Sequence, residues 1–274
     1  MHNVINPLRG RFVHGKDETD YFESVIANVN TGQDHTFIFS VWNEPLTEVP
    51  KNSILFSTSD EHHQQPIANH LHENLALIFK HYFPRAPICD NRVHPFPLGY
   101  LTDFGGHGHT PLAERALDYS FSGTANDNGR DKMKSALERR SKDGKNKYWK
   151  IHHDGWGKGL KMWDYGSLLT KTRIALCPPG YTSHESFRIF EAARCGCVLL
   201  VGDKLPTHLW YYEGFPGIRV SDWSNLSIID ELLSDPVKLQ KIGDRTLEWY
   251  NRCVDPKAVG KYVTEKIKSA GIVE

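Results

Sequence analysis

The chain has 274 residues, well beyond the roughly 150 of a typical domain, which predicts two compact domains. Its 33 basic residues balance 33 acidic ones, which excludes a global field able to hold nucleic acid or an anionic membrane and leaves any bound anion to a local site. The 5 cysteines are sparse and odd in number, which argues against a disulfide framework.

The opening Met1-His2-Asn3-Val4-Ile5-Asn6-Pro7 lacks an apolar core of signal-peptide length, and no apolar run approaches a membrane span. A cytoplasmic protein without a transmembrane segment is expected, or the soluble catalytic part of a larger or anchored one. Residues 36–42 and 53–57 then read as strands, 66–75 as a helix, and 77–79 and 93–98 as shorter strands. The run Thr102-Asp103-Phe104-Gly105-Gly106-His107-Gly108-His109-Thr110-Pro111 is glycine-rich and ends in proline, which suits a linker. A boundary is placed there, giving domains 1–112 and 113–274.

The same pattern restarts after the linker. Residues 116–123 read as a strand, 130–140 as a helix, 148–151 and 173–177 as strands, and 183–194 as a helix. Residues 197–201 are apolar on both faces, as in a parallel strand covered by helices on each side. Cys195-Gly196-Cys197, just before, lacks the two-residue spacer of a redox or zinc pair and predicts buried small residues. From residue 235 onward the pattern is helical, broken at Asp255-Pro256. Strands alternating with helices define an α/β chain.

The most informative stretch joins Cys177-Pro178-Pro179-Gly180 to a helix that opens with hydroxyl residues. Strand, Pro-Gly turn and helix N-terminus together present backbone N–H groups to a crevice, an arrangement that favours a phosphate. Ser183 is the expected cap. Arg188 on the first turns offers a guanidinium fork for a pyrophosphate, and Glu191, three positions on, offers a carboxylate for ribose hydroxyls. The competing reading of that pair is a salt-bridged face, Glu191 with Arg188 or Arg194.

These residues resemble the C-terminal signature of the exostosin-type glycosyltransferases: Cys177-Pro178-Pro179-Gly180, Ser186, Arg188, Phe190-Glu191-Ala192 and Gly196-Cys197-Val198. Upstream, Ser120-Phe121-Ser122-Gly123 followed by Arg130 is similar to the family's first C-terminal strand and its phosphate-side loop and arginine, and Pro97-Leu98-Gly99-Tyr100 to the strand leading out of its N-terminal domain. The resemblance implies a GT-B fold, two Rossmann-like domains facing across a cleft. It further implies a donor, a UDP-sugar in most of the family, bound to the second domain through Gly123, Arg130, Ser183, Ser186, Arg188 and Glu191. A glycan or glycoconjugate acceptor would lie mostly against the first domain. Transfer with inversion and no metal cofactor is implied, and no Asp-x-Asp motif is present. The chain is short for the family, so acceptor recognition transfers least.

Inverting transfer needs a base for the acceptor hydroxyl. Ser59-Asp60-Glu61-His62-His63 follows the strand at 53–57, at the end where open α/β sheets bind ligands, so Asp60 and Glu61 are the preferred candidates and His62 the next. His107 and His109 of the linker are within reach of the same cleft. His62, His63, His70 and His72 form an alternative zinc-type cluster without HExxH spacing. Trp149, Trp156, Trp163, Tyr148 and Tyr165 are candidates for a stacking wall, and His152, His153 and Asp154 for contacts to the nucleotide base. Rival readings are a retaining or non-UDP transferase, and a sugar-nucleotide or glycan-binding module without turnover.

Overall fold

The computed structural model describes residues 2–5, 18–41, 49–59, 61, 73–84, 88, 90–106, 108, 110–124, 129–152 and 159–272. The first sheet contains β1 (Asn3–Ile5), β2 (Thr36–Val41), β3 (Ser53–Thr58), β4 (Leu75–Lys80) and β5 (Val93–Pro95), all parallel and ordered β1-β2-β3-β4-β5. Side-chain alternation sorts its two faces. Phe37, Phe39, Phe56 and Phe79 point one way and pack with Tyr21 and Phe22 of α1 (Thr19–Ile26) and with Phe96. Ile38, Leu55, Ile78 and Val93 point the other way into a smaller cluster.

The second half forms a five-stranded parallel sheet from β6 (Leu117–Thr124), β7 (Lys147–His152), β8 (Thr172–Cys177), β9 (Val198–Gly202) and β10 (Ile218–Val220). Its helices are α2 (Arg130–Arg139), α3 (Met162–Thr170), α4 (Phe187–Arg194), α5 (Ile228–Leu233), α6 (Pro236–Cys253) and α7 (Pro256–Ser269). Every residue of β9 is buried, since Leu199 and Val201 face one core and Val198 and Leu200 the other. The strand order β10-β9-β8-β6-β7 reverses direction between β6 and β8. In open α/β sheets the crevice beyond the C-terminal strand ends at such a switch point is where ligands bind.

The break between α6 and α7 has a local cause. Each helix opens with proline and is capped by the preceding aspartate: Asp235 accepts from Lys238 N, and Asp255 from Lys257 N. The turn sends α7 back onto α1 of the first domain. A Cβ added at Gly260 would fall 2.7 Å from Asn28 Cβ. Asn30 N donates to Thr264 Oγ1, and Tyr21 Oη to Val254 O. No described helix is long and apolar enough to cross a membrane.

Two expectations change. The helix read from residue 183 begins at Phe187, because Thr182 and Ser183 give their N–H groups to Glu61 of the first domain instead of to a helix turn. Ser183 is therefore not the cap; Ser186 is, with extended backbone (φ −151, ψ 152). The helix read at 66–75 lies mostly outside the described residues, and its last residue, Leu75, opens β4.

Candidate active site

A cavity of about 670 Å³ lies at the switch point, between the two domains. From the first domain Glu61 and Tyr82 line it; from the second come the end of β6, Arg130, the start of α3, and α4 with the turn before it.

The end of β6 carries two guanidinium groups. Arg188 donates from Nε and Nη2 to Ser122 O at 3.0 and 2.9 Å and stands 5.3 Å from the Phe121 ring centroid. Gly123 makes this approach possible, since a Cβ there would fall 2.4 Å from Arg188 Nη2. Arg130 opens α2 after Gly129, whose φ of 93° suits glycine. It donates from Nε to Pro179 O and from Nη1 to Thr124 O at 3.0 and 3.2 Å, and is only 3% exposed. Burial, with Arg188 alongside, pulls its guanidinium down to about 9, still charged at neutral pH. Among the described residues neither arginine has a carboxylate within ion-pair distance. A buried cation with a half-buried one beside it, both hydrogen-bonded to carbonyls, is poised for an anion.

The N-terminal end of α4 faces the same space. Ser186 is 7% exposed, lines the cavity, and its Oγ is buried without a hydrogen-bond partner among the described residues. A hydroxyl left unsatisfied at a helix N-terminus, beside two guanidinium groups, matches what a phosphate needs. Further along α4, Glu191 is 2% exposed, lines the cavity, and accepts from Leu101 N at 3.4 Å. The salt-bridge alternative meets arginines engaged elsewhere: Arg188 lies on Ser122 O, and Arg194 sits 3.9 Å over the Tyr100 ring and donates to Phe104 O.

No family model matches the chain. Among solved structures it is similar to Anabaena Alr3699/HepE in complex with UDP, at 10% identity and a TM-score of 0.53 over 98% of this chain and 100% of that one. It is similar also to sucrose-phosphate synthase from Thermosynechococcus elongatus, at 10% identity and a TM-score of 0.53 over 100% of both chains. The DNA-modifying enzyme β-glucosyltransferase gives 16% identity and a TM-score of 0.52 over 97% of this chain and 99% of that one. The fold is GT-B. A curated relative, ribitol-5-phosphate xylosyltransferase 1 from Danio rerio, is 32% identical in an alignment of 101 residues that covers 32% of this chain. The chain spans only 23% of that relative's length.

Within this GT-B cleft, Glu61 joins the domains. Its Oε1 accepts from Thr182 N and Ser183 N at 3.0 and 3.1 Å, and its carbonyl accepts from Thr182 Oγ1 at 2.7 Å. Gly180 permits the approach, because a Cβ there would fall 2.4 Å from Glu61 Oε1. Asp60 and His62 lie outside the described residues, as do His63, His70, His72, His107, His109, His153, Asp154 and Trp156. Gly123, Arg130, Ser186, Arg188 and Glu191 all line the cavity, whereas Ser183 does not; its Oγ accepts from Glu185 N. Of the proposed stacking wall, Trp163 and Tyr165 line the cavity, while Trp149 packs against the second core.

Sequence reasoning missed Glu185, which lay inside the motif with no role assigned. It is 2% exposed, lines the cavity, and its Oε1 accepts from the hydroxyls of Tyr211 and Tyr212 at 3.0 and 3.2 Å. Burial pushes its carboxyl up to about 7, and the two tyrosine hydroxyls only partly offset that. A raised carboxyl favours the folded state fully below the unfolded value near 4.5, and the contribution is lost as pH rises through about 7. Ionising Glu185 thus costs about 3 kcal/mol of stability by pH 8. Glu185→Gln keeps an acceptor for both tyrosines and removes the titration. Its melting temperature relative to the parent is expected to rise between pH 5 and about pH 7 and then to level off; a constant difference would contradict the assignment.

Proposed function

We propose that the chain is an exostosin-like glycosyltransferase that takes a sugar from a UDP-linked donor and passes it, with inversion, to a glycan or glycoconjugate hydroxyl. One observation carries the reading: a buried and a half-buried guanidinium group, with no carboxylate at ion-pair distance among the described residues, and an unsatisfied serine hydroxyl converge on a helix N-terminus at the sheet's switch point. The structural neighbours include complexes with UDP and UDP-glucose, and the curated relative is a xylosyltransferase.

In this proposal Arg130, Arg188, Ser186 and the N-terminal end of α4 hold the diphosphate and meet the charge that develops on it as the glycosidic bond breaks, without a metal cofactor. Glu191 takes the ribose hydroxyls. Glu61, anchored through Oε1, receives the acceptor proton while the acceptor oxygen attacks the anomeric carbon from the face opposite the diphosphate.

A thermal-shift panel of nucleoside diphosphates tests the donor class. A ligand that binds only the folded state at 100 times its Kd adds about 2.7 kcal/mol of stability. UDP is expected to stand out, and silence from every nucleotide would refute the reading. Glu191→Gln is expected to narrow the preference for UDP over 2′-deoxy-UDP by up to about tenfold, the worth of one strong hydrogen bond to a charged group. An unchanged preference with a lower melting temperature would mean that Glu191 serves only the linker above it.

A further inference from the structure

Behind the first-domain wall of the cavity three polar side chains meet. Glu18 occupies the N-cap position of α1, yet its carboxylate makes no cap bond to that helix. Its Oε1 accepts from Ser59 Oγ at 2.5 Å, and its Oε2 lies 3.3 Å from His81 Nδ1. Glu18 and His81 are buried, and none of the three lines the cavity. The order of the groups sets the cluster apart from a nucleophilic triad, because the carboxylate and not the imidazole touches the hydroxyl. What the carboxylate does is tie the ends of β3 and β4 to the start of α1.

The backbone at both strand ends is strained. Ser59 has a φ of 57°, and Tyr82, directly after His81, a φ of 48°, left-handed values that residues other than glycine keep only with support from their surroundings. Each member of the cluster also adjoins the cavity wall. Ser59 precedes Glu61 by two positions, and Tyr82 and Glu61 both line the cavity. His81 stacks on Phe22 and Phe96 of the first domain and meets edge-on Phe187, the first residue of α4 and itself a wall residue.

We propose that Glu18 is a positioning residue for Glu61. By holding Ser59 in its left-handed turn it fixes where the chain leaves β3, and so delivers the Glu61 carboxylate to Thr182 N and Ser183 N of the other domain. The consequence for catalysis rests on the reading of Glu61 as the base given above; the delivery itself does not.

Ser59→Ala removes the hydroxyl without altering a wall residue, and hydrogen exchange of the whole unliganded chain reads the delivery directly. The amides of Thr182 and Ser183 are expected to exchange about tenfold faster than in the parent, while those of β9 keep the parent's rates. Turnover at saturating donor and acceptor is expected to fall about 10–10²-fold. In a Glu61→Gln background the same change is expected to cost less than about twofold, because a residue that acts only through Glu61 has nothing left to position. Glu18→Ala should follow Ser59→Ala, and Glu18→Gln, whose amide oxygen can still accept from Ser59 Oγ, should recover most of the loss. Unchanged exchange at Thr182 and Ser183 overturns the proposal, as does an acceleration shared equally by β9 or an equal loss of turnover in both backgrounds. If Glu61→Gln itself turns over like the parent, the base reading falls, and exchange at Thr182 and Ser183 alone decides whether Glu18 holds Glu61 in place.

Discussion

Glu61→Gln is expected to leave UDP affinity within about twofold and to slow transfer about 10²–10⁴-fold at saturating donor and acceptor. The amide oxygen of glutamine can still accept from Thr182 N and Ser183 N, so the link between the domains survives the change. What is lost is the capacity to take a proton. A loss that persists at saturation belongs to the transition state and not to binding.

The same geometry supplies the result that would sink this assignment. The N–H groups of Thr182 and Ser183 lie in the turn where sequence alone points to a phosphate, and a carboxylate of the other domain rests on them. If Glu61→Gln binds UDP markedly more tightly and turns over normally, Glu61 is a resident anion competing with the diphosphate. The base would then be sought at Asp60, His62, His107 or His109.

The central strands were legible because parallel sheets covered on both faces leave continuous apolar runs, as in β3 and β9, whose residues are all buried, whereas the three-residue edge strands β1 and β10 were not read. The break at Asp255-Pro256 was legible for a local reason: aspartate followed by proline acts within one turn. Elements that depend on distant partners were not. In α1 the apolar positions 21, 22, 25 and 26 have helical spacing, but the segment is short and its stability comes from β-sheet aromatics and α7. In α3, Gly166 argues against a helix by propensity. Its place is set by contact with the linker, where an added Cβ would fall 2.4 Å from Gly106 N.

The site divides along the same line. Arg188 and Glu191 could be nominated from one helical face, and Arg130 only through the family resemblance of the segment around it. Glu185 could not, because what makes it a buried, oriented carboxyl is a pair of tyrosines that follow β9. The start of α4 was misjudged by one turn since both Ser183 and Ser186 are plausible caps, and the choice is made by Glu61 from the other domain.

Arg188→Ala is expected to weaken UDP binding and turnover together, lowering kcat/KM for the donor by about 10²–10³-fold, as loss of a strong charge-stabilising donor does. The guanidinium would act on the ground-state diphosphate and more strongly on the leaving group as charge develops. Removing it also deletes two hydrogen bonds to Ser122 O, a cost of about 1–3 kcal/mol in stability, so the melting temperature of the unliganded variant must be measured beside the kinetics. Arg188→Lys separates the two roles: it restores the charge without the fork, and is expected to recover part of the UDP affinity while remaking at most one of the two bonds that Arg188 gives to Ser122 O. Arg130→Ala is expected to follow the same pattern less severely, because its Nε and Nη1 are already committed to Pro179 O and Thr124 O. A folded Arg188→Ala protein with unchanged UDP affinity and turnover would reduce Arg188 to a strut under the end of β6, and the anion site would have to be carried by Arg130 and the N-terminal end of α4 alone.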